Sequence, residues 1–102
     1  MAERNEPLPP EAFYKSLFGL AYCQMIFSPE GKPIDFLYLE VNKNFERLTG
    51  LKRVTGKKVT ELIPTIAVSN PELFEIYGRV SATGNSERFE TYVTPLGRWF
   101  FI

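Results

Sequence analysis

Histidine is absent from this 102-residue chain, cysteine and tryptophan occur once each, and Asp35 is the single aspartate. Without histidine there is no imidazole general base, no Ser-His-Asp or Cys-His nucleophile pair, and no ordinary zinc site. A lone thiol, Cys23, closes no internal disulfide, so the expected environment is a reducing cytoplasm. A phosphate-binding glycine loop is also missing, since neither "GKPID" nor "GLKRVTGKK" has the spacing or the strand-helix context. Formal net charge is zero at pH 7, which argues against nucleic acid or an anionic membrane as an obligatory partner. No apolar run approaches the roughly 20 residues of a transmembrane helix. The opening "MAERNEPLPPEAFYKSLFG" has Glu and Pro where a signal peptide carries basic residues and an apolar block. Glu72 and Glu75 offer a carboxylate pair of the kind glycosidases use, but they fall on the surface of an expected helix, where carboxylates are ordinarily solvated. The domain therefore reads as non-catalytic.

What is present suits one small core. Hydrophobic residues make up 44% of the chain, and its length is that of a single domain. Residues 1–8 read as a disordered leader. Residues 9–19 read as an amphipathic helix, opened by Pro9-Pro10-Glu11 and stopped by Gly19 as a left-handed cap. Its stripe, Phe13, Tyr14, Leu17 and Phe18, has too few turns behind it to be stable alone, so it must pack on its own domain or on a second copy. Leu20–Phe27 and Ile34–Val41 predict a hairpin around Ser28-Pro29-Glu30-Gly31-Lys32-Pro33. Leu37, Leu39 and Val41 alternate with Tyr38 and Glu40, the period of a half-buried strand, and Cys23 sits mid-strand as a buried, inert thiol.

Asn42 ends that alternation. An Asn there can cap a short helix carrying Phe45 and Leu48, before Gly50 and Gly56 break the chain and Leu62-Ile63-Pro64 closes another turn. "SNPELFEIYGRVSATGNS" predicts the longest helix, with Asn70 as cap, Pro71 first, Leu73, Ile76, Tyr77 and Val80 on one face, and Gly84 as stop. Gly78 within it predicts a close approach to the sheet. Ser86–Val93 and Arg98–Ile102 predict a second hairpin. Strand pairs separated by helices indicate an α+β fold, an antiparallel sheet with short helices walling one face. Met25, Leu39, Phe45, Leu48, Ile63, Tyr77 and Val80 are the expected lining of the enclosed space, with the Tyr77 hydroxyl available to a ligand.

In order and spacing, "YLEVNKNFERLTG", "GKKVTELIP" and "NPELFEIYGRVSATGNSERFETYVTPLGRWFFI" resemble the PAS domains of bacterial sensory proteins, over nearly all of Gly19 to Ile102. The resemblance implies a PAS-like (profilin-like) α+β fold over residues 20–102, and a sensory and dimerisation module placed before a histidine kinase, diguanylate cyclase or other output domain. It implies a small molecule held between sheet and helices, and a dimer, for which the stripe Phe13, Tyr14, Leu17 and Phe18 is the contact expected from the residues themselves. A ligand-free interaction module is the other reading. Haem held by histidine is ruled out, and so is a flavin-cysteinyl adduct, because the only cysteine is in the first strand rather than in the helical wall. The cofactor stays unknown, with non-covalent flavin among the possibilities. The family's sheet has five strands, the last lying centrally, so the resemblance also implies that the chain stops one strand short at Ile102.

Overall fold

The computed structural model describes Phe13 and residues 17–102, so the expected leader, most of the expected helix over 9–19, and Tyr14 lie outside the described residues. Within them the fold is a small α+β domain. Strands β1 (Ala21–Phe27) and β2 (Pro33–Val41) pair antiparallel, with bulges after Tyr22 and after Ile26. The turn between them closes as its residues demand: Gly31 takes φ 84° and donates its N–H to Ser28 O, and Ser28 donates to Lys32 O. The far edge of β2 is covered by the following loop, where Tyr38 N–H donates to Lys57 O at 2.9 Å and Gly56 N–H donates to Tyr38 O at 2.8 Å.

Four helices follow: α1 (Lys43–Thr49), α2 (Val59–Leu62), α3 (Ile66–Ser69) and α4 (Pro71–Thr83). Gly50 ends α1 and Gly84 ends α4, both left-handed, as the sequence predicts. Asp35 ties β2 to α2, accepting from the Thr60 hydroxyl at 2.5 Å and, through its other oxygen, from Phe36 N–H and Thr60 N–H. The lone aspartate thus stands at the positive end of a one-turn helix. Strands β3 (Glu90–Val93) and β4 (Arg98–Phe101) form the second hairpin around a 3-10 turn, Thr94–Leu96. The hairpins make two separate two-stranded sheets, and no ladder joins them among the described residues. Their link is packing: Phe36 and Tyr38 from β2, Val54, Val59, Ile63 and Ile66 from the helical wall, Leu73 and Phe74 from α4, and Val93 from β3 form one buried cluster. Burying each of the larger of these side chains contributes about 1.5–3 kcal/mol.

Two buried asparagines fix the ends of this arrangement. Asn42 caps α1 as its position predicts, accepting from Phe45 N–H at 2.9 Å. The same oxygen accepts from Leu20 N–H, and the amide nitrogen donates to the carbonyls of Phe13 and Phe18. Asn70 occupies the cap position of α4, but its side chain makes no capping bond. It turns instead toward β3, donating to Tyr92 O at 2.9 Å and accepting from the Ser69 hydroxyl. Pro71 leaves the first turn of α4 with one fewer donor to satisfy, which frees the amide for the strand.

Three further expectations are corrected. Gly19 is not left-handed; a Cβ there would stand 3.0 Å from the Phe45 Cα, so its role is close approach. Leu17 and Phe18 lie in a bend rather than a helix. The deepest residues of α4 are Leu73, Phe74 and Gly78, with Ile76 and Val80 only partly buried, so its inward face is rotated toward Phe74. On the outer face of the second sheet the Trp99 ring is 71% exposed and packs edge-on against Tyr92.

Gly78 does meet the first sheet, since a Cβ there would sit 2.8 Å from the ring of Pro33. Overpacking costs about 1–3 kcal/mol and the gain in helix propensity returns up to about 1 kcal/mol, so Gly78→Ala is expected to destabilise by up to about 2 kcal/mol in urea unfolding. Asn42→Ala removes both acceptor and both donor bonds at once. We expect a loss of about 3 kcal/mol or more on the same measurement, and a loss below 1 kcal/mol would show that water replaces the amide.

Candidate functional site

The inner face of β1–β2 is set by which side chains point toward the helices. Cys23 stands opposite Tyr38 and Met25 opposite Phe36, so these four share a face. From there a chain of rings crosses the domain. Phe45 of α1 lies 5.4 Å from Tyr38, Tyr38 lies 5.4 Å from Phe36, and Phe36 lies 5.3 Å from Tyr77 of α4. Tyr77 then reaches Phe89, just before β3, at 6.1 Å, and Phe74 flanks Phe36 at 5.7 Å. Most are tilted or edge-on pairs, the arrangement that the ring quadrupoles favour.

Three polar ends lie within this apolar setting: the Cys23 thiol and the Tyr38 and Tyr77 hydroxyls. Burial pushes the Cys23 thiol up to about 12, and it pushes both tyrosine hydroxyls well above their ordinary values. Cys23 and Tyr77 add to the effect on Tyr38, and Cys23 adds to that on Tyr77, so the three groups feel one another. A thiol held protonated in this way is a poor nucleophile, in keeping with the inert thiol expected from the sequence. Every fully enclosed side-chain nitrogen or oxygen among the described residues has a hydrogen-bond partner. The Tyr38 and Tyr77 hydroxyls have none among those residues, so both must open on space wide enough for a water-sized group.

The expected lining divides in three. Met25, Phe45, Ile63 and Tyr77 are in or against the core cluster. Val80 is partly buried and stands apart from it. Leu39 and Leu48 are corrections. Leu39 is 43% exposed because β2 turns its even-numbered residues, Phe36 and Tyr38, inward. Leu48 is 51% exposed and lies beside Gly19 instead of facing the sheet. Tyr38, Phe36, Phe74 and Phe89 were missed; the signal that finds them is aromatic size, since the larger rings of β2 take the interior and leave the leucines outside.

Of the N-terminal stripe, Phe13 is buried against its own domain, near the Tyr22 ring, while Leu17 is 91% and Phe18 76% exposed. A second polar cluster joins α4 to β3. There partial burial raises the Glu72 carboxyl, but hydrogen bonds from its own backbone, the Thr91 hydroxyl and the Asn70 amide outweigh this and hold it below the usual range. Among the described residues no group of three His, Cys, Asp or Glu side chains is arranged to hold a metal ion, and no helix is long and apolar enough to cross a membrane. No protein-family model, curated protein or solved structure matches the chain.

Cys23, Tyr38 and Tyr77 all hold their protons more tightly in the folded state than in the unfolded one. The stability they confer is therefore fully present below pH 9, the unfolded thiol's value, and is lost as pH rises toward the folded value near 12. We expect the urea midpoint to fall across that window, and to fall less steeply in the Tyr38→Phe, Tyr77→Phe double variant. Equal slopes in the two proteins would show that these hydroxyls titrate normally.

Proposed function

We propose that this domain is a sensory or regulatory module of the PAS type, belonging to a bacterial signalling protein of the cytoplasm, and that it takes a small molecule between its strands and its helical wall. The observation that supports the reading is the pair of tyrosine hydroxyls, Tyr38 buried and Tyr77 partly buried among rings, which have no hydrogen-bond partner among the described residues and open on a water-sized space. An unmade hydrogen bond in an apolar setting costs about 1–3 kcal/mol, so water or another small group meets these hydroxyls in the space they open on. A bound molecule supplies what the protein leaves open. The order of elements, hairpin, short helices, longer helix and hairpin, supports the family reading. The module itself is non-catalytic in this reading, and it passes its signal through a dimer to a downstream output domain.

Asn42 suggests how. Phe45 touches Tyr38 at one end of the ring chain, and the first turn of its helix shares the Asn42 oxygen with Leu20. A ligand that displaces the Phe45 ring strains the same amide that holds the carbonyls of Phe13 and Phe18. The test is a fragment screen read by amide resonances of the protein. Binding fragments are expected to shift Cys23, Tyr38, Phe45 and Tyr77 together, and a screen whose hits all lie elsewhere removes the proposal.

The second reading, a ligand-free dimerisation module, is favoured by Leu17 and Phe18, two large apolar side chains side by side in solvent. Light scattering on wild type and Leu17→Glu, Phe18→Glu decides whether they join two copies. A dimer that becomes monomeric on substitution is the expected outcome, and a wild type that is monomeric at high micromolar concentration excludes the contact.

A further inference from the structure

The chemistry around the two hydroxyls narrows what can bind there, and the argument rests on the ligand-binding reading just given. Tyr38 is only 6% exposed, and its hydroxyl has no hydrogen bond among the described residues. Its surroundings are the rings of Phe36 and Phe45, the Cys23 thiol across the strand pair, and Tyr77 one ring further along. The polar groups gathered here are hydrogen-bond donors with weakly acidic protons: two phenols and a thiol. Among the described residues the buried polar ones are Asn42, Asn70 and Thr91, so the core cluster brings no cationic or carboxylate side chain to this face.

We infer that the site selects an uncharged ligand of aromatic size carrying a hydrogen-bond acceptor, a carbonyl or ring nitrogen, which takes the protons of Tyr38 and Tyr77. An anion would enter an apolar enclosure with no cation to meet it, beside groups that can only become negative themselves. The upward displacement of all three pKa values reports the same hostility to negative charge. A cation would find ring faces, but it would leave both hydroxyl protons without an acceptor. A neutral acceptor satisfies the hydroxyls and brings no charge among the rings.

Four probes of one size separate these cases: benzamide, benzoate, benzylamine and toluene, titrated into the purified protein near neutral pH and followed by amide resonances. Benzamide is expected to bind best, at least about tenfold tighter than benzoate. Tyr38→Phe and Tyr77→Phe, which keep the ring and remove the hydroxyl, are expected each to weaken benzamide about 3- to 10-fold, as the loss of one hydrogen bond does, and to leave toluene within about twofold. If toluene binds and benzamide has no advantage over it, or benzoate or benzylamine matches benzamide, or the Phe variants bind benzamide unchanged, the acceptor-selective site is wrong while an apolar cage stands. If none of the four binds wild type at millimolar concentration, the cage reading and this inference fall together.

Discussion

An amide side chain taken out of water must find partners for two donor and two acceptor positions, and Asn42 finds all of them in backbone from three different parts of the chain. Its oxygen gathers the N–H groups that open β1 and α1, and its nitrogen gathers two carbonyls of the N-terminal segment. The residue therefore sets where the first strand begins, where the second ends and at what angle the first helix leaves. Asn70 does the same work for the second hairpin, with fewer backbone partners and with the help of Thr91 and Glu72. Two amides, each beside a helix start, thus hold the ends of the two hairpins, Asn42 the first and Asn70 the second.

Between those points the domain is held by rings. The path from Phe45 through Tyr38, Phe36 and Tyr77 to Phe89 begins on the first helix and ends at the second hairpin. Aromatic pairs of this kind are directional, so displacing one ring changes the packing of the next. The sole aspartate holds α2 to β2, and among the described residues no carboxylate is fully buried. The scarcity of histidine, cysteine and aspartate in the sequence goes with a core cluster that holds no charged side chain.

Elements were easier to read from the sequence than faces. Alternation, turn residues and left-handed glycines placed both hairpins and the long helix close to where they lie, because those signals are local. The phase of β2 was not local. Both of its faces are apolar, Phe36 and Tyr38 on one and Leu37 and Leu39 on the other, and only the bulk available opposite, in Phe74 and Tyr77, decides which set goes inward. Leu48 failed for a related reason: a helix of seven residues presents one side chain to the core, and Phe45 takes that place. Asn70 looks like a cap because it is at a helix start, and its actual partner lies more than twenty residues away. Tyr77 was legible as a hydroxyl facing inward, whereas Tyr38 and Cys23 depended on a strand register that the sequence does not print.

The position of Trp99 has an optical consequence. It is the only indole in the chain and lies on the outer face of the second sheet, beside Tyr92, at the opposite side from the buried rings. An indole this exposed is expected to emit with the red shift of a water-facing fluorophore already in the folded protein, so the colour of its light is nearly silent on whether the core is intact. It speaks instead of whatever comes to rest against that sheet. A blue shift is the mark of a covered face, while Tyr38 and Tyr77 report from among the buried rings on the other side.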